Sequence, residues 1–140
     1  MTRICGIEIK GSDAVLVVME HDDDKCAFID METKKIKLGN HESTDVIHSF
    51  HDAIVNFTKD NHIDIYVVKQ RAKKGPMAGG ALSFKIEAII QLNGIAEVAF
   101  LSGQAISASE KREPFEIPEQ VKKYQHNAYL VASLYVRKMK

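Results

Sequence analysis

Residues 4–18 read ICGIEIKGSDAVLVV, and this stretch decides the fold. Two apolar runs flank a glycine-serine-aspartate turn, so Arg3–Lys10 and Ala14–Glu20 are expected to be antiparallel neighbours. The next turn, HDDDK at His21–Lys25, leads to a third strand at Cys26–Asp30. A more polar piece, Lys34–Leu38, ends at Gly39-Asn40 and is expected to extend that third strand. One residue breaks the apolar pattern: Glu8 stands between Ile7 and Ile9. A carboxylate buried in a sheet needs a partner.

Beyond the meander the hydrophobic period changes. In ESTDVIHSFHDAIVNFTKDN, Val46, Ile47, Phe50, Ile54 and Phe57 recur at helical spacing behind a Ser43 or Thr44 cap. IDIYVVK, residues 63–69, then suits a buried strand, and a strand reached through a helix implies parallel pairing. QRAKKGPMAGG reads as a basic, glycine-containing loop before a second helix, ALSFKIEAIIQLNG, closed by Asn93-Gly94. AEVAFLS is the fifth strand, and the pattern from Gly103 to Ile117 is read as a polar connection. Pro118 marks the start of a last helix that turns Val121, Ala128, Val131, Ala132 and Tyr135 to a core. The order is βββαβαβα, an α/β chain with a mixed five-stranded sheet and helices on its faces.

The 140 residues match the length of a single domain. Nineteen Lys plus Arg balance 19 Asp plus Glu, which removes the overall positive charge of a dedicated nucleic-acid binder. A nucleic-acid role therefore needs a local basic patch. Cys5 and Cys26 show no metal-binding spacing and are expected to be buried thiols in a reducing cytoplasm. MTRICG lacks a basic region followed by a long apolar stretch and no run of about 18 apolar residues occurs, so neither a signal peptide nor a membrane span is expected.

The strand order is that of the ribonuclease H-like fold, and the chain resembles its RuvC-type Holliday-junction resolvase branch, as a small bacterial family within it. CGIEIKGS stands where those proteins carry a glycine, an apolar residue, an aspartate and a glycine turn. VVKQRAKKGPMAGGALSFKIEAIIQLNG is similar in layout to their central strand, loop and helix, and YQHNAYLVASLYV to their last helix. The resemblance implies carboxylates from these three places converging on two divalent ions for phosphodiester cleavage. Carried over by position, the first-strand acid is Glu8, the central-strand glutamate is replaced by Lys69 beside Gln70, and the last-helix acid by Asn127. Leu130 or Tyr124 takes the companion position, depending on register.

A lysine among metal ligands repels a cation and suits an ion pair with Glu8. The resemblance thus points to a resolvase-like protein with degenerate catalytic acids, needing no cofactor and acting by binding a protein or nucleic-acid partner. Two alternatives stay open. One is a nuclease dependent on Mg2+ or Mn2+, in which Glu8 works with Asp30, Glu87 or Glu110; the other is a structural homodimer subunit. For nucleic acid the candidates are Arg71, Lys73 and Lys74, which with Lys69 put four cations within six residues. His48 and His51, with Asp52, share one side of a helix and read as surface residues rather than a metal site. HDDDK reads as a solvated turn, and GPMAGG lacks the Gly-Lys-Ser/Thr of a phosphate loop.

Overall fold

The computed structural model describes residues 1–70 and 80–139. Arg71, Lys73, Lys74 and most of GPMAGG lie outside the described residues.

β1 (Thr2–Lys10) pairs along its whole length with antiparallel β2 (Asp13–Asp22), from Thr2 opposite His21 to Lys10 opposite Asp13. Gly11 takes a positive φ of 58° in the connecting turn, a conformation that glycine enters without steric cost. β3 (Lys25–Ile29) pairs with the far end of β2 and β4 (Lys35–Lys37) with its beginning, so the two lie end to end along one edge of β2. The third strand is thus resumed, as expected, after an interruption.

α1 (Thr44–Asp60) starts where Ser43 Oγ accepts the Val46 N–H at 3.3 Å. It presses Phe50, Ile54 and Phe57 against the sheet at helical spacing. Each such fully buried side chain contributes about 1.5–3 kcal/mol. The chain returns as β5 (Ile65–Gln70), parallel to β1 with Ile4 opposite Ile65 and Ile7 opposite Val68. After α2 (Ala81–Gln91), the buried Asn93 side chain bonds Ile90 and Ala96 carbonyls and accepts the Ile95 and Ala96 N–H groups, turning the chain into β6 (Glu97–Ser102). β6 pairs parallel with β5, giving the order β3-β2-β1-β5-β6.

Two stretches differ from the sequence expectation. Gly103–Arg112 is a helix, α3, capped by Ser102 Oγ accepting the Ala105 N–H at 3.0 Å. The last helix, α4 (His126–Met139), begins eight residues after Pro118, following a short 3-10 turn at Lys123–Gln125. Gln125 is the cause: it is buried, its Nε2 donates to the Leu16 carbonyl of β2 at 2.9 Å, and its Oε1 accepts the Lys122 N–H. This anchor to the sheet outweighs local helix preference. Cys5 is buried as expected, but Cys26 on the edge strand β3 is exposed, and neither is in a disulfide.

The sheet is covered on both sides. Cys5, Ile7 and Ile9 face α1 and α2, whereas Ile4, Val15, Val17 and Val67 face α3 and α4. Gly6 sits at the tightest point of the second layer, where an added Cβ would collide with the Ala128 carbonyl and lie 2.9 Å from Ala132 Cβ. Only glycine lets α4 rest directly on β1. No described helix is long and apolar enough to cross a membrane.

Candidate functional site

That close approach brings the first turn of α4 over the carboxyl end of β1. Successive residues of a strand alternate faces, so Glu8 points to the same side as Gly6, as does Lys69 with Val67 on β5. The Asn127 Nδ2 donates to Glu8 Oε2 at 2.8 Å, and Lys69 Nζ lies 3.4 Å from the same oxygen. Glu8 is 6% exposed, and its other oxygen, Oε1, is buried without a hydrogen-bond partner among the described residues. The Lys69 contact is longer than the roughly 2.7–2.9 Å of a tight charge-assisted bond. Its side chain keeps 28% exposure, its stem running past Gly103.

Lys69 and Asn127 line a hollow of about 640 Å³ between α3 and α4. Leu130 lines it too, while Tyr124 lies under the Lys35 ammonium of β4, 5.2 Å from the ring centre. Gln104, Ser107 and Lys111 of α3 form its other wall, and sequence reading missed them with their helix. Ser102 followed by exposed polar residues at helical spacing was the available signal. The hollow opens at the carboxyl ends of the parallel strands, the usual ligand position in open α/β sheets.

The other acids do not join Glu8. Asp30 pairs with Lys34 at 3.4 Å, Glu87 is on α2 against the opposite face, and Glu110 lines the hollow but accepts the Phe115 N–H at 3.0 Å. Among the described residues no three His, Cys, Asp or Glu side chains gather as a metal site, and residues 71–79 contain none of these types. One carboxylate sharing its oxygen with an ammonium and an amide donor does not fit a pair of divalent ions, which need several anionic oxygens.

Of the remaining sequence candidates, His48 is exposed and His51 lies on the surface, its Nε2 3.1 Å from the Leu92 carbonyl oxygen and Nδ1 4.0 Å from Asp52. HDDDK is a turn in which Asp22–Lys25 are exposed and Asp23 has φ of 52°.

A mixed sheet in this order, backed by a last helix laid across β1, is the ribonuclease H-like fold. The chain matches the RuvC structure of Thermus thermophilus with a TM-score of 0.69 at 12% identity, over 99% of this chain and 97% of that one. It matches T. thermophilus RuvC in complex with its Holliday junction substrate at 0.65 and 13%, over 99% and 96%. The fowlpox virus resolvase bound to Holliday junction DNA follows at 0.60 and 13%, over 99% of each chain. At these identities the likeness is one of fold. No curated protein matches in sequence. The chain belongs to the family described as protein of unknown function (DUF3010), whose family model covers residues 2–135.

Proposed function

We propose that this protein binds branched or otherwise structured nucleic acid at the crevice where β1 and β5 end, and does not cut it. One observation carries the reading: Glu8 Oε2, the oxygen that would have to serve a metal, takes hydrogen bonds from Asn127 and Lys69. A cation fixed in the protein stands where the fold's nucleases rely on bound cations, and an ammonium attracts a phosphodiester without activating water against it. Two of the structural relatives are complexes with Holliday junctions, which favours a nucleic acid over a protein as the partner. Arg71, Lys73 and Lys74 follow β5 directly in the chain and would add phosphate contacts, supplying locally the charge that the balanced whole lacks.

The test is a four-way DNA junction incubated with the purified protein in magnesium or manganese, read for both retention and cleavage. Salt-sensitive binding with intact strands is expected. Chelator-sensitive cleavage that disappears in Glu8→Gln would overturn the proposal in favour of a nuclease with a rearranged ligand set.

A further inference from the structure

α3 exposes Gln104, Ser107, Ala108 and Lys111, spaced as one stripe along a helix, and all four line the hollow that Lys69 heads. None of Gln104, Ser107 and Lys111 has a side-chain hydrogen bond or ion pair to another described residue. Opposite them stand Asn127 and Leu130, one turn apart on α4. The result is an elongated groove with a cation at each end. Lys69 lies beside Gly103, and Lys111 is eight residues further along α3, a rise of about 12 Å.

We infer that this groove holds a short single-stranded stretch of nucleic acid, with one phosphate at Lys69, another at Lys111, and Gln104 and Ser107 bonding the backbone between them. The inference rests on the nucleic-acid reading above and narrows it to an unpaired strand. A duplex, whose major groove alone is about 12 Å wide, does not enter a hollow of about 640 Å³. A volume in the range of small-ligand sites suits a few unpaired nucleotides instead. Leu130 and Ala108 offer an apolar wall to the bases, and among the described residues no aromatic side chain lines the groove, so sequence-tolerant and modest binding follows. Glu110 also lines the groove, and its Oε2 is turned to the Phe115 N–H.

The experiment is fluorescence anisotropy of the full chain with a labelled octathymidylate and, separately, with a four-way junction across a salt series. Lys111→Ala and Ser107→Glu, both on the exposed stripe, are expected to fold as the parent does, checked by thermal melts. Lys111→Ala is expected to flatten the logarithmic salt slope for the octamer by about 0.7, the single-strand value for one phosphate contact. Ser107→Glu should weaken octamer binding at least tenfold by placing a carboxylate between the two phosphates. If the junction binds and the octamer does not, or if both variants leave octamer binding unchanged, the inference falls while the nucleic-acid reading stands. If neither probe binds the parent protein, that reading falls and takes the inference with it.

Discussion

On the α1 side of β5, the Tyr66 hydroxyl meets Thr58 Oγ1, which donates in turn to the Ile54 carbonyl at 2.6 Å. On the α4 side of the same strand, Lys69 reaches toward Glu8 at 3.4 Å, and Glu8 keeps one buried oxygen without a partner among the described residues. The first cluster is sealed, with Tyr66 and Thr58 almost wholly buried, and every hydroxyl has an answer. The second borders an open hollow and is left incompletely satisfied. Buried polar groups cost free energy when unpaired, so the closed cluster serves stability while the open one is the natural place for a ligand. Two polar clusters on one strand thus follow different rules because one faces helices packed flush and the other faces a gap between helices.

The largest expected effect tests what brings the open cluster together. Gly6→Ala forces a Cβ into the Ala128 carbonyl and should destabilise the fold by about 3 kcal/mol, the upper end of overpacking costs. Denaturant melts measure it, and a loss below about 1 kcal/mol would break the claim that α4 is seated on β1 by that contact.

The sealed cluster predicts a smaller effect with a pH signature. Tyr66→Phe removes a donor to Thr58 and should cost about 1 kcal/mol at neutral pH. Burial pushes the Tyr66 phenol and the Cys5 thiol well above their ordinary values. A raised folded-state pKa stabilises below the unfolded value and loses that contribution as pH rises, here from about 8.5 for the thiol and about 10 for the phenol. Stability should therefore fall through the alkaline range, less steeply in Tyr66→Phe. A parallel fall in parent and variant, followed by melts from pH 8 to 11, would show that the phenol carries none of it.

The smallest effect sharpens the open cluster. Glu8→Gln, Lys69→Met and their combination form a cycle whose coupling energy should be about 0.5–1 kcal/mol, in the upper part of the range for an exposed pair and well below the 3–5 kcal/mol of a fully buried one. Strict additivity in melts would dissolve the pair and leave Glu8 available as a ligand.

The sequence made the meander, α1, β5 and the two-sided core legible because each rests on dense apolar periodicity. α3 was not legible: Ile106 is its one large apolar anchor, and its hold on the fold comes from the Ser102 cap and from Arg137, whose Nη1 donates to Ser109 Oγ at 2.8 Å. Those bonds span elements and leave no local pattern. The late start of α4 has the same origin in Gln125, 109 residues from its partner Leu16. At the site, Glu8 was conspicuous as a charge in an apolar strand, and Lys69 and Asn127 came into view through the family resemblance. The α3 wall of the hollow was hidden with its helix.

The break between β3 and β4 has a consequence for how the molecule behaves in a crowded solution. An uninterrupted edge strand offers a row of unpaired N–H and C=O groups on which a foreign chain can grow a further strand. Here that edge is two pieces of five and three residues, and Lys25, Lys35 and Lys37 are exposed along them. An incoming strand meets a template too short to propagate on and pays for approaching three positive charges, so this margin of the sheet is guarded against runaway polymerisation.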